Sequence, residues 1–584
     1  MNARLPLDLS RPFVLLDDAR ATGAAPARLY RDPVETIATD DPARVPACLA
    51  ALREATRGGL HAAGWLAYDA GIPGEPATAT PGAPLMWFGL FAHYATIAPE
   101  AVPRLLPDPA GAWASAPQPS IGQPAYRAAF DRVMAYIAAG DIYQANLTFQ
   151  AALRFAGDPL ALYARIRRQA AAGWGGIVHD GSRTLLSFSP EMFFRLDGRR
   201  IETRPMKGTE ARRADPVADD AAVAALADDP KQRAENLMIV DLIRNDLSRV
   251  AVPGSVAVPR LFTVETYPTI HQMTSTVIAD LAEGHDAVSL IEAAFPCGSI
   301  TGAPKRRAMA IAAEVESGPR GLYTGAIGRI DADGAAAFNV AIRTLLVDRA
   351  GRATIGLGSG IVADSDGASE WRECLAKAAF VRAACPRFDL IETMPFDPFE
   401  GMIDLDRHLA RMKRSSDALG FAFDRHDARN ELQAATFRLR ERMRIRLRLS
   451  PSGRVAIEVR PQPAEQREPA IVPVVALPVA PNDFRLQHKT SDRGFYDSAR
   501  GDAFEVVFAR TDGWLTEGSF TNLFVERDGR LLTPPLARGL LPGILRERLI
   551  EQGSAIEHDL AEADLRDGFL LGNALRGLIR ARLP

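Results

Sequence analysis

Cysteine is scarce in this chain. There are 4 in 584 residues, at Cys48, Cys297, Cys374 and Cys385, and no two form a CxxC pair. That argues against a disulfide framework and against a zinc ribbon, and it fits a reducing compartment. Long hydrophobic runs are also missing. Ala-rich stretches such as AAVAALA at 221–227 are too short to span a bilayer. The first 30 residues have no cationic start followed by an unbroken apolar core, so no signal peptide is read there. Neither charge is in excess: Lys and Arg number 69 and Asp and Glu 72, a net charge of −3. That balance gives no reason to expect nucleic acid or an anionic membrane as a partner. GxGxxG and GxxxxGK[ST] loops are absent as well. What is present is an ordinary globular composition, 47% hydrophobic and 24% charged, with enough chain for several cores. A cytoplasmic location is expected.

PFVLLDD and PLMWFGLF read as buried strands. The segment 101–124 carries Pro103, Pro107, Pro109, Pro117, Pro119 and Pro124 and reads as a loop or linker. From Tyr126 a helical period begins, with a C-cap expected at Gly140. Strands and helices then alternate to about 385. A second start follows. FDLIETM reads as a strand, and LDRHLARMKRSSDALGF (405–421) as an amphipathic helix. MRIRLRLS (443–450) alternates strictly, with Arg444, Arg446 and Arg448 on one face. A solvated strand face is expected there rather than an RNA-binding stripe. The division predicted is 1–120, 121–385 and 386–584, the first two forming one unit.

Several short stretches carry chemistry. SPEMFF and TRPMKGTE place Glu191 and Lys207 16 residues apart, spaced as in two strands of a hairpin. The helix over 231–250 puts Glu235 on the side of Ile239 and Leu242. A helix over 367–383 projects Glu370, Glu373 and Lys377 from one side. A cation between these carboxylates would relieve their repulsion, and oxygen ligands with open water positions suit Mg²⁺. FPCGSITGAPK offers glycines and hydroxyls before a helix, where backbone N–H groups favour an anion. GLGSGIVADSDG reads as a second glycine-rich turn, and Arg343 as a cation on an otherwise apolar strand. Two anion cradles, an Arg and a Lys suggest a small dicarboxylate.

SPE, RPMKGTE, AENLMIVDLIRNDLSRV, FPCGSITGAPK, YTGAIG, NVAIRT and GSGIVADSD occur in that order. Together they resemble the chorismate-utilising enzymes, strongly over 120–385 and more weakly over 1–120. The resemblance implies a two-layer α/β sandwich and chorismate as substrate. It implies Glu191 as general acid and Lys207 as a nucleophile that adds to the ring, with ammonia following. Mg²⁺ would be held by Glu235, Glu370 and Glu373. His271, Ser299, Ile300, Thr301, Gly302, Arg343, Gly358, Ser359, Gly360 and Lys377 would surround the substrate. Lys207 in PxKGT sides with the branch that makes aminodeoxychorismate; anthranilate synthase, the alternative, carries alanine there. No cysteine has the setting of a glutaminase nucleophile, so a separate glutaminase subunit is expected to supply ammonia.

In the last 200 residues RHLARM, HKT, TEGSFTNLF, LPGILR and GNALRG occur in order. They resemble fold-type IV pyridoxal-phosphate enzymes over about 387–584. The resemblance implies Lys489 as the lysine that carries pyridoxal 5′-phosphate and Glu517 as the partner of its ring nitrogen. Arg411, the backbone of Ile544 and Leu545, and Asn573 would hold the phosphate, with Thr393 near the substrate. A homodimer through this domain comes with the family, although this domain begins at FDLIETM, without the extra N-terminal strand segment of stand-alone members. The overall class expected is α/β. The two halves fit one product line: the first makes an aminated chorismate, and the second expels pyruvate from it to leave 4-aminobenzoate for folate. An amino-acid aminotransferase is the alternative for the second half.

Overall fold

The computed structural model describes residues 7–71, 84–267, 270–348, 351–384 and 388–584. Cys385 and the predicted boundary at 385/386 lie outside the described residues. The chain divides into two compact units. One comprises Met1–Pro107, Ala116–Leu153 and Tyr163–Ala384; the other comprises Asp108–Ser115, Arg154–Leu162 and Cys385–Pro584. Among the described residues no helix is long and apolar enough to cross a membrane.

Two antiparallel ten-stranded sheets build the first unit. In one, Gln144–Leu153 pairs with Ala353–Ile361, and Thr184–Ser189 lies between Trp174–His179 and Thr344–Val347. In the other, Met192–Asp197 pairs with Arg200–Thr203 and Ala336–Val340, while Met206–Ala211 pairs with Ile270–Asp280. Val14, Tyr30, Trp65, Trp87, Val178 and Ile327 fill a shared core drawn from strands of both sheets. The predicted strands PFVLLDD and PLMWFGLF form over Phe13–Asp17 and Met86–Phe91. All six residues of Met86–Phe91 are buried, as an unbroken apolar run requires. The mixed α/β class is borne out.

The helix Pro230–Ser248 starts where the local chemistry dictates. Asp229 caps it by accepting from the N–H groups of Lys231 and Gln232, and Pro230 occupies the first turn. Ile239, Val240, Ile243 and Leu247 turn into the core and fix which way Glu235 faces. Gly140 follows the helix Gln123–Ala138 with φ 80°, the left-handed conformation a glycine takes at a helix end.

Four expectations are corrected. Glu191 and Lys207 are not on paired strands: the hairpin is Met192–Asp197 with Arg200–Thr203, and the Lys207 strand pairs instead with Ile270–Asp280. Arg343 is not within a strand; it sits between Ala336–Val340 and Thr344–Val347 with φ 49°. Gly356, Gly358 and Gly360 form no turn but lie inside the strand Ala353–Ile361. The 367–383 helix breaks at Lys377 into Gly367–Ala376 and Ala379–Ala384.

The second unit contains a four-stranded sheet, Leu390–Asp397, Gly401–Met402, Met443–Leu449 and Val455–Pro461, covered by the helices Leu405–Leu419 and Arg425–Thr436. A nine-stranded sheet carries Leu515–Gly518, Asn522–Arg527 and Phe569–Asn573. The proline-rich segment is not a bare linker. The 3-10 turn Pro99–Leu105 runs into it with Pro103 inside, Pro109 starts another at Pro109–Gly111, and Ala112–Ala114 pairs with Phe155–Gly157. Trp113 joins the core of the second unit, with its ring 6.2 Å from that of Phe388. Replacing Trp113 by Ala is expected to cost the second unit about 3–5 kcal/mol. A urea midpoint within error of wild type would refute that packing role.

Candidate active sites

Glu191 follows the strand Thr184–Ser189 by two residues and is 5% exposed. Its backbone is pinned: the N–H donates to Ser189 Oγ at 3.2 Å and the carbonyl accepts from Val340 N at 3.1 Å. Oε1 has no partner among the described residues. Burial pushes the Glu191 carboxyl up, against the opposing effects of Ser299 and Lys207. Lys207 is displaced the other way: burial pulls its amine down, while Glu235, Glu191 and Glu373 resist. One buried pocket therefore holds an acid inclined to keep its proton and an amine inclined to lose one.

The strand glycines make room for this pair. A Cβ at Gly360 would come within 2.8 Å of Gln144 Nε2, 3.2 Å of Asn146 Oδ1 and 3.5 Å of Lys207 Nζ. Sequence reasoning missed Gln144 and Asn146. Gln144 Oε1 and Asn146 Oδ1 are buried acceptors with no partner among the described residues. The signal was present in QAN, since residues two apart in a strand share a face. Lys377 Nζ donates to Gly358 O at 2.9 Å and pairs with Glu373 at 2.8 Å. Ser299, 3% exposed, lies 3.3 Å from Cys297 Sγ. Thr301 Oγ1 is spent on the carbonyls of Cys297 and Gly298, so Thr301 shapes the cradle from within.

Arg343 is the most telling cation. Its side chain makes no hydrogen bond or ion pair among the described residues, and burial alone pulls its guanidinium below the ordinary range. Its carbonyl accepts from Phe188 N at 3.0 Å, three residues before Glu191. A desolvated guanidinium without an anion is a carboxylate site in waiting. His271 differs: its ring nitrogens already meet Asp219 at 2.9 Å and Thr266 at 3.0 Å.

The three carboxylates predicted as metal ligands do not close into a cage. Among the described residues no group of three or more His, Cys, Asp or Glu side chains converges to hold a metal. Glu370 accepts from Ser365 Oγ at 2.8 Å and Glu373 faces Lys377. Glu235 is raised by burial and by the charges of Glu370 and Glu373, so all three share one field. An all-oxygen set of this open kind fits Mg²⁺ completed by substrate and water.

In the second unit a cavity of about 620 Å³ is lined by Thr393, Arg411, Lys489, Glu517, Ile544 and Asn573, six of the residues predicted for it. Leu545 is buried just behind, as second residue of the helix Ile544–Glu551, whose first N–H groups have no helical acceptor. Lys489 hangs beside Leu390–Asp397, its carbonyl accepting from Ile391 N at 2.9 Å. Burial brings its amine down to about 7, helped by Arg411, Arg493 and Arg446. Glu517 is raised by burial to about 7 and takes a 2.6 Å bond from Tyr496 OH and a longer one, 3.3 Å, from Asn522.

Arg411 is held from behind. Glu392, 1% exposed, takes its Nε at 2.8 Å and Nη2 at 2.6 Å, and Pro542 O takes Nη1 at 2.9 Å. His408 Nδ1 joins Glu392 at 2.6 Å. Burial opposes ionisation, yet Arg411 and His408 hold the Glu392 carboxyl well below the usual range. Glu392 and His408 were not singled out from sequence, although His408 and Arg411 stand three apart on one helix face. Asn573 spends its side chain on its own turn, accepting from Leu575 N and Arg576 N and donating to Phe520 O. The Arg-rich strand is corrected: Arg444, Arg446 and Arg448 line this cavity rather than forming a merely solvated face.

The chorismate binding enzyme family model matches residues 11–383. The chain belongs to that family. A second model, amino-transferase class IV, matches residues 389–583, so both lie in one chain. Among curated relatives, aminodeoxychorismate synthase of Streptomyces griseus is 47% identical over 244 residues, 42% of this chain and 34% of the relative. Aminodeoxychorismate synthase component 1 of Salmonella typhimurium is 44% identical over 254 residues, 43% of this chain and 55% of the relative. The crystal structure of anthranilate synthase component I from Streptococcus pneumoniae TIGR4 matches with a TM-score of 0.53 at 25% identity, over 62% of this chain and 93% of that one. The chain thus spans about a third and about half of the two curated relatives' lengths.

A class IV domain implies pyridoxal phosphate. The cavity fits it: a lysine amine near neutrality for the aldehyde, a buried acid for the ring nitrogen, and Arg411 with open helix N–H groups for the phosphate.

Proposed function

We propose that the chain makes 4-aminobenzoate from chorismate in two steps, one in each unit. The observation that carries the reading is the Glu191–Lys207 pair, in which burial shifts the acid toward its protonated form and the amine toward its neutral form. In the first step Glu191 protonates the departing 4-hydroxyl while Lys207 Nζ adds at ring C2. Ammonia then bonds to C4 and Lys207 leaves, so one hard substitution becomes two easier ones. Arg343, Lys377 and the 299–302 cradle hold the carboxylates. Glu235, Glu370 and Glu373 would hold Mg²⁺, which supplies a charge partner for the ring carboxylate. A separate glutaminase subunit supplies the ammonia, and Lys207 itself, a lysine where anthranilate synthase carries alanine, separates this reading from anthranilate synthesis.

In the second unit, pyridoxal phosphate when bound supplies a sink for electrons leaving the substrate carbon. Glu517 would pair with its ring nitrogen, and Arg411 with the N–H groups of Ile544 and Leu545 would hold its phosphate. Lys489 takes the proton from C4 of 4-amino-4-deoxychorismate. The C3–O bond breaks, the enolate of pyruvate leaves and takes up a proton to become pyruvate, and aromatisation drives the step. An aminotransferase would instead return that proton to the cofactor.

The test is product analysis after incubating purified protein with chorismate, Mg²⁺, pyridoxal phosphate and an ammonium salt. 4-Aminobenzoate and pyruvate are expected in equal amounts. Anthranilate would sink the role given to Lys207, and a halt at aminodeoxychorismate would sink the lyase half. Arg343→Met is expected to raise the KM for chorismate about 10- to 100-fold. Thermal stability should hold or rise, because an unpaired buried charge is removed. A variant that loses stability and keeps its KM would contradict both.

A further inference from the structure

Among the described residues, seven arginines and two carboxylates line the cavity of the second unit. Six of the arginines are already engaged. Arg411 is tied to Glu392, Arg444 to Glu458 at 3.2 Å and Arg448 to Asp389 at 2.6 Å. Arg493 donates to Ser519 O at 2.6 Å and Arg500 pairs with Asp497 at 3.0 Å. Arg576 lies over the Phe504 and Phe520 rings and reaches Ala464 O at 3.4 Å.

Arg446 is the exception. Its side chain has no hydrogen bond or ion pair among the described residues, and its Nε is a buried donor without an acceptor. The strand explains the geometry. Ile445 and Leu447 are fully buried on one face, so Arg446 must point from the other. Thr393 stands opposite it on one side and Glu458 on the other. Glu458 is claimed by Arg444 and by Arg460. Arg446 is left facing a cavity it shares with Lys489.

We propose that Arg446 is the specificity-determining clamp of the second unit, gripping one carboxylate of a dicarboxylate amine, with the Thr393 hydroxyl beside it. This rests on the reading of that unit as acting on 4-amino-4-deoxychorismate. A planar fork with free donors in a part-desolvated wall pairs bidentately with a carboxylate. The phosphate has its own donors in Arg411 and the helix N–H groups. Arg446 therefore serves the substrate, and a substrate lacking a carboxylate at that place leaves a desolvated cation unpaired.

The full-length protein loaded with pyridoxal phosphate would be assayed for pyruvate release from purified 4-amino-4-deoxychorismate. R446Q is expected to raise KM about 10- to 100-fold with kcat changed by less than about threefold. R446K should recover part of the loss, keeping the charge without the fork. Cofactor affinity should stay within about twofold, because Arg446 is not a phosphate ligand. Isophthalate should inhibit wild type better than benzoate, and R446Q should erase that preference. A KM within about twofold of wild type, or a loss of cofactor affinity that parallels the KM change, would overturn the clamp. If wild type itself releases no pyruvate, the lyase reading fails and the clamp falls with it; an active wild type beside an unaffected R446Q overturns the clamp alone.

Discussion

Lys489→Ala is expected to stop the chain at 4-amino-4-deoxychorismate. Formation of 4-aminobenzoate should fall on the order of 10⁴-fold, the scale on which removal of a reacting side chain is felt. The first step should run at its wild-type rate. The reason is local. Lys489 is the lysine of the cavity, its amine brought down to about 7 by burial and three neighbouring arginines. Among the described residues no other lysine lines that cavity. A second readout follows from the same value. Capture of the cofactor's aldehyde needs the neutral amine, and the folded-state pKa lies below the ordinary lysine value of 10.5. The rate of cofactor uptake by the apo-protein should therefore rise as pH increases through about 7, and be nearly level above it. Undiminished 4-aminobenzoate from the variant would remove Lys489 from the reaction.

Glu191→Gln is expected to lower aminodeoxychorismate formation by about 10²- to 10⁴-fold, the usual worth of a positioned general acid. Its size matches that of Gln, and its Oε1 has no hydrogen-bond partner among the described residues to lose, so the fold should tolerate the change. The pH profile carries more information than the rate. In the proposed mechanism Glu191 acts protonated and its pKa is raised, so activity should fall as pH climbs through that value. Lys207 acts neutral in the same scheme and its pKa is lowered, so activity should fall as pH drops through that one. Wild type should show both limbs, and Glu191→Gln should lose the alkaline limb that belongs to Glu191 while keeping the one set by Lys207. Retention of both limbs with little loss of rate would assign the acid to another group.

Much of this was legible because motifs are local. Asp229 and Pro230 start a helix at that point in any fold, and the 3.6-residue period then puts Glu235 on the side of Ile239. The alternation of MRIRLRLS likewise put Ile445, Leu447 and Leu449 in a core, and all three are fully buried. What that alternation could not say is what the opposite face meets. Arg446 read as solvated because its neighbours in the chain are more arginines. The cavity it faces is assembled from Thr393, Lys489 and Glu517, 28 to 124 residues apart in the chain.

The same division explains the misread pairings. Sixteen residues between Glu191 and Lys207 suggested a hairpin, but a closer turn at Asp197–Arg200 takes the hairpin and sends Lys207 to another partner strand. The prolines of 101–124 excluded a long helix or central strand, as their missing N–H groups demand. They did not exclude burial, and Trp113 found a core supplied from residue 388 onward. By itself the sequence determined which residue types stand at which spacings, and hence the two chemistries, because period and capping act over a few residues. Only the tertiary structure decided that the side chains of Arg343 and Arg446 have no partner among the described residues. A charge is paired or left for a ligand according to what long-range packing brings within 4 Å of it, and local periodicity carries no record of that.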